Sequence, residues 1–191
     1  MLIASAICLD SLHRAGNNRF FTYTRGRYPM ARKRCISVIG ASSATDKEYN
    51  AAVEVGREIA KRGAVLICGG LGGVMEAAAK GASEAGGLTV GILPESDTSR
   101  MNPYIDIPIV TGMGYARNVL VAYSGDGLIA VGGKLGTLSE IAYGLMQFKP
   151  VIGIDTWGLD LNSRDLDRPG PVAAKDAREA VAKVFEALES G

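Results

Sequence analysis

The stretch Ser124-Gly-Asp-Gly-Leu-Ile-Ala-Val-Gly-Gly-Lys-Leu-Gly-Thr-Leu-Ser-Glu140 holds an apolar run, a glycine loop and the start of a helical pattern, in that order. Residues 127–131 are apolar without alternation, the mark of a strand covered on both faces. The loop that follows predicts a helix over 137–147. Strand, glycine loop and helix in succession are the unit of a parallel sheet with helices packed on it.

Outward from this unit the same alternation repeats. Residues 35–39, 64–68, 88–93, 107–110 and 151–154 read as further strands. Helices are expected over 46–61, 72–85 and 116–123, with a last one after Asp176. Thr45 and Glu48 form an S/T-x-x-E capping box ahead of the first helix, and Gly63 stops it. The expected fold is α/β, a Rossmann-like doubly wound parallel sheet with helices on both faces, occupying residues 33–191 as one domain. The segment 157–170, rich in Asp, Asn and Arg, reads as a solvent-facing loop.

Composition removes several classes of function. The chain has 191 residues, enough for one domain with a substantial core. No apolar stretch approaches the roughly 20 residues of a membrane-spanning helix. The apolar opening lacks the flanks of a secretory signal. Three cysteines without a C-x-x-C and a single histidine, His13, leave no disulfide framework, histidine triad or metal cluster. The expectation is a soluble, cytoplasmic protein without a metal site.

The net charge of +1 conceals an asymmetry. Residues 1–34 carry seven Lys/Arg against Asp10, leaving 14 basic and 19 acidic residues, a net −5, over 35–191. The basic stretch 1–32 lies outside the β/α pattern. It reads either as an extension upstream of the natural start or as a basic arm for an anionic partner or a second subunit. The acidic body has no basic surface interleaved with aromatics, which argues against nucleic acid.

Glycine, 25 of 191 residues, is the other departure from average composition. Its densest clusters fall where an open α/β sheet binds ligands, at the carboxyl ends of strands next to helix N-termini. Three loops converge there: Gly40-Ala-Ser-Ser43, Gly69-Gly-Leu-Gly-Gly73 and Gly132-Gly-Lys-Leu-Gly-Thr137. The dinucleotide fingerprint beginning at Gly70 fails at Met75, and a P-loop would need lysine where Thr137 stands. A phosphate cradle of another pattern remains, with Gly133 to Thr137 approaching the anion, the Thr137 hydroxyl donating to it and Lys134 adding charge.

Each of these residues also has a plainer role. Thr137 and Glu140 fit a capping box. Arg117 reads as a surface arginine, Glu76 as an acid complementing a helix dipole, and Ser42 and Ser43 as turn formers.

The stretch Gly112-Met-Gly-Tyr-Ala-Arg-Asn118, the 124–140 segment and Lys149-Pro-Val-Ile-Gly153 together resemble the Rossmann-like superfamily of the Lonely Guy phosphoribohydrolases and the molybdenum cofactor carrier proteins. The resemblance covers about residues 34–190. The phosphoribohydrolase motif reads P-G-G-x-G-T-x-x-E, with an arginine-lysine pair upstream. By position it implies Glu140 and Arg117 as the groups assisting N-glycosidic cleavage, and Gly133, Gly136 and Thr137 as phosphate ligands. Gly132 stands where the motif has proline, Lys134 where it has the second glycine, and Asn118 where it has the lysine. These departures bring the chain closer to the carrier branch.

The expected function is binding of a phosphorylated, nucleotide-like ligand such as molybdopterin in the molybdenum cofactor. The ligand set implied is Gly40, Ser42, Ser43, Gly70, Gly72, Gly73, Arg117, Asn118, Gly132, Gly133, Lys134, Gly136, Thr137 and Glu140. The alternative is hydrolysis of a nucleoside 5′-monophosphate to free base and ribose 5-phosphate, with Arg117 and Glu140 catalytic. Lysine decarboxylation, a label often given to similar proteins, lacks support, since no lysine has a pyridoxal phosphate context. Helices with more than one apolar face, at Val119 to Tyr123 and Ile141 to Gln147, predict a homodimer or homotetramer.

Overall fold

The computed structural model describes residues 32–159 and 170–190. Nearly all of the basic stretch 1–32, and most of the expected loop 157–170, lie outside them. The described residues fall in one unit, Arg32–Gly191.

Seven strands form one sheet in the order β4-β3-β2-β1-β5-β6-β7, every neighbouring pair parallel. They are β1 Cys35–Gly40, β2 Val65–Cys68, β3 Thr89–Leu93, β4 Ile107–Val110, β5 Gly127–Val131, β6 Val151–Ile154 and β7 Val172–Ala173. The helices are α1 Asp46–Lys61, α2 Val74–Glu84, α3 Asn118–Ser124, α4 Leu135–Met146 and α5 Ala177–Ser190. The α/β doubly wound architecture expected from the apolar runs is the observed one.

Alternation within each strand divides the core. Ile36, Val38, Leu66 and Ile129 face α1, α2 and α5. Ile39, Ile67, Leu128 and Ala130 face α3 and α4. Fully buried residues such as Ile36, Leu66 and Leu128 stabilise the fold by about 1.5–3 kcal/mol each. On the first face α1 and α2 touch backbone to backbone. A Cβ on Gly56 would stand 1.9 Å from the Ala78 carbonyl oxygen, and one on Gly81 1.9 Å from that of Val53. Only glycine permits that crossing.

Several boundaries differ from expectation. The helix expected from 72 begins at Val74, and the one expected from 137 begins at Leu135. The helix expected over 116–123 divides into a 3-10 turn, Gly114–Arg117, and α3. Strand β7 is too short for a sequence signal. β4 is an apolar run that stays exposed, Ile107 and Ile109 being 45% and 44% accessible, because it forms the sheet edge.

The chain leaves β1 toward β2, β3 and β4, then returns to place β5 against the other side of β1. Gly40 pairs with Val131 at the ends of these two strands. Their following loops therefore leave the sheet side by side, at the crevice where this architecture binds ligands.

Candidate functional site

Two loops form the floor of that crevice. From β1 come Ala41 to Thr45; from β5 come Gly132 and Gly133, at φ +54° and +120°. They enclose a cavity of about 370 Å³ lined by Ala41, Ser43, Ala44, Thr45, Glu48, Gly133 and Lys134. The Lys134 ammonium donates to the Ser43 hydroxyl at 2.9 Å and so spans the mouth. Glu48 forms one wall, accepting from the Thr45 backbone N–H at 2.8 Å and from its hydroxyl at 2.9 Å. These bonds, the backbone one foremost, hold the Glu48 carboxyl below its ordinary range.

The N-terminus of α4 opens beside this cavity. In α1 the Thr45–Glu48 box satisfies the first-turn donors, as the sequence predicts, and in α5 Asp176 accepts from the Glu179 N–H at 2.9 Å. The cap position of α4 is Lys134, in extended conformation, and no side chain caps the turn. Thr137 sits inside the helix, which rules out its role as the cap of a Thr-x-x-Glu box. The amides of Leu135, Gly136 and Thr137 precede the first intrahelical donor, the Leu138 N–H that bonds the Lys134 carbonyl at 3.0 Å, and carry the positive end of the dipole. At Gly136 an added Cβ would meet nothing nearer than the Asn118 side-chain nitrogen, at 3.6 Å. The fold does not require glycine there; an anion approaching the backbone would.

Behind this turn lies a buried polar cluster. Arg117 and Glu140 are only 6% and 5% exposed. The Arg117 guanidinium donates to the Asn118 side-chain oxygen at 2.9 Å, to Glu140 at 3.4 Å and to the Gly69 carbonyl at 3.3 Å. Its Nε has no partner. Burial pushes the Glu140 carboxyl up to about 7, and the Arg117 charge works against that rise. Asn118 donates to Ser139 at 3.0 Å and to the Gly136 carbonyl at 3.4 Å, joining the 3-10 turn to the start of α4. Arg117 is thus a buried group rather than a surface one.

The sequence-predicted residues divide into four sets. Ser43, Gly133 and Lys134 line the 370 Å³ cavity. Arg117, Asn118, Thr137 and Glu140 belong to the buried group, with Gly136 at its edge. Gly70, Gly72 and Gly73 pack the second glycine loop against its neighbours: a Cβ on Gly70 would meet Leu93, and one on Gly73 the Ala41 carbonyl and Ser42. Gly40 and Gly132 shape the strand ends, Gly132 bonding its N–H to the Ile154 carbonyl at 2.9 Å.

A second cavity, of about 540 Å³, lies on the other side of Glu48, which lines both. It sits at the carboxyl ends of β5 and β6 between α1 and α5, with Lys47, Asp155, Lys175 and Arg178 among its walls. None of these was a candidate from sequence. An acid directly after an apolar strand, Ile154-Asp155, was the available signal.

A model of the SLOG cluster4 family matches residues 33–182. The chain belongs to that family. This SLOG cluster4 protein is 52% identical over 119 residues to an uncharacterized protein of Archaeoglobus fulgidus, covering 62% of this chain and 78% of that one. It is 35% identical over 134 residues to the cytokinin riboside 5′-monophosphate phosphoribohydrolase of Mycobacterium tuberculosis, covering 64% and 71%. The solved molybdenum cofactor binding protein of Rippkaea orientalis matches with a TM-score of 0.74 at 38% identity, over 83% of this chain and 99% of that one. The resemblance carried by the 112–118 and 124–140 segments is therefore a true relationship. Among the described residues of the SLOG cluster4 protein, no helix is long and apolar enough to cross a membrane.

Proposed function

We propose that this protein binds a phosphorylated, nucleotide-like ligand without turning it over, as a carrier does. The observation that carries this reading is the uncapped first turn of α4 beside Lys134. A phosphate there meets backbone amides, the helix dipole and one ammonium together. Molybdenum cofactor is the cargo proposed, on the likeness to the Rippkaea orientalis protein. The phosphate loop is the part of the site that fits such a molecule on its own chemistry.

The location of the acid–base pair favours binding over turnover. Glu140 is engaged by Arg117 and lines neither cavity. Asn118 supplies no charge and is committed to Ser139 and Gly136. One observation favours the hydrolase alternative: a carboxyl at about 7 is suited to general acid–base work at neutral pH. The sequence readings of a homodimer or homotetramer, a cytoplasmic location and a domain spanning 33–191 belong to the same proposal.

Small molecules released from the purified protein should include a phosphorylated heterocycle by mass spectrometry, and incubation with adenosine monophosphate should release no adenine. Adenine release comparable to that of an active phosphoribohydrolase would replace the carrier reading with the hydrolase one.

A further inference from the structure

We infer that Glu48, in the first turn of α1, is a positioning residue of the phosphate loop: its carboxylate packs on Gly132 and Gly133 and fixes the backbone from which α4 starts. This rests on the phosphate-binding reading of α4 and adds what holds that turn in place. From sequence, Glu48 is visible only as half of the α1 capping box.

The fit between carboxylate and loop is close. A Cβ on Gly132 would stand 1.8 Å from the Glu48 Oε1 and 3.1 Å from its Cγ, so the side chain lies where only a glycine leaves room. Gly132 and Gly133 take φ of +54° and +120°. Glycine reaches either sign of φ at similar cost, so contacts must select this shape. On one side the Gly132 N–H donates to the Ile154 carbonyl at 2.9 Å, and the Gly132 carbonyl accepts from the Thr156 hydroxyl. Glu48 closes the other side. Thr45 first, and then the Gly133 backbone N–H, hold its carboxyl below the ordinary range.

Glu48 is itself anchored. The Thr45 N–H and hydroxyl donate to its Oε2 at 2.8 and 2.9 Å, while the Glu48 N–H donates back to the Thr45 hydroxyl oxygen at 3.3 Å. One carboxylate oxygen thus completes the α1 cap, and the other is turned to Gly132. The cap of α1 and the start of α4 are joined through this side chain, which links the loop after β1 to the loop after β5. The Lys134 ammonium ties the same two loops at Ser43, and its charge offsets that of the carboxylate beside an incoming phosphate.

Calorimetry with ribose 5-phosphate on the wild type, Glu48→Gln and Glu48→Ala tests this, with urea midpoints on the same preparations. The two variants carry the same charge, so their difference reports the contact and not the carboxylate's repulsion of the phosphate. Glu48→Gln keeps an oxygen acceptor against the loop and should bind within about threefold of the wild type, whereas Glu48→Ala should bind about tenfold more weakly than Glu48→Gln. A residue that merely capped α1 would lower the urea midpoint of Glu48→Ala without lowering its affinity. Amide NMR of the wild type gives an independent readout should Glu48→Ala fold poorly. As pH falls, the Gly133 N–H should follow protonation of Glu48, with a midpoint below the ordinary 4.5. Equal affinities in Glu48→Gln and Glu48→Ala, or a Gly133 amide that does not follow that titration, would overturn the positioning role and leave the phosphate reading standing. Failure of the wild type to bind ribose 5-phosphate would overturn the reading and the role together.

Discussion

Lys134 reaches from the end of β5 to Ser43 after β1, its ammonium 2.9 Å from the hydroxyl, and so bridges the two strands at which the chain reverses its winding. The bridge is exposed, and its contribution to folding is small. Its position over the phosphate loop gives the lysine its importance.

Lys134→Ala should leave thermal stability within about 0.5 kcal/mol of the wild type. Binding of ribose 5-phosphate should weaken by about 1.5–3 kcal/mol, the range for a hydrogen bond to a charged group. Denaturant titration and calorimetry on the same preparation separate the two effects.

Gly136→Ala should have opposite effects on folding and binding. The added methyl meets only Asn118 at 3.6 Å. Replacing a helical glycine should therefore stabilise the fold by about 0.5–1 kcal/mol. The same methyl stands where the phosphate approaches the α4 amides, so affinity should fall. Urea midpoints and calorimetry report the pair of results; a variant that is more stable and binds normally would remove Gly136 from the site.

Glu140 predicts a pH dependence whose sign follows from burial. Its carboxyl rises from an ordinary 4.5 to about 7 in the folded protein. Between those values the folded state holds more protons than the unfolded one, so this group's contribution to stability falls as pH rises through the window. Wild-type stability should decline relative to Glu140→Gln between pH 4.5 and pH 7, by an amount on the order of 1–3 kcal/mol. Urea denaturation at several pH values measures the difference in slope; parallel profiles would place the carboxyl in water.

Tyr115, Leu135 and Met146, 90%, 75% and 57% exposed, lie on the 3-10 turn and α4, whose face of the sheet carries two α-helices, α3 and α4, among the described residues. Light scattering should return a multiple of the 20.0 kDa chain mass, and Leu135→Glu should shift it toward one chain. A wild-type mass of 20.0 kDa would show that this face is solvated.

Much of the fold was legible because buried parallel strands are written as unbroken apolar runs, as Val65–Cys68 and Gly127–Val131 illustrate. The start of α4 was misplaced because Thr137 and Glu140 have capping-box spacing, whereas the backbone turns helical two residues earlier with no side chain closing it. The burial of Arg117 depends on the Gly69 carbonyl, 48 residues away, and no local pattern encodes that contact. Glu48 was visible as a capping residue. Its second position, between two cavities, exists only once β5 returns to lie beside β1. The larger cavity escaped for the same reason: Asp155, Lys175 and Ala51 meet only when β6, α5 and α1 are stacked on the sheet.

The central claim is that the free first turn of α4 holds the phosphate. Amide NMR during titration with ribose 5-phosphate measures this at the atoms concerned. The largest saturable shifts should fall on Leu135, Gly136 and Thr137, with smaller ones at Ser43 and Lys134. Saturable shifts confined to other elements, or none at all, would contradict it.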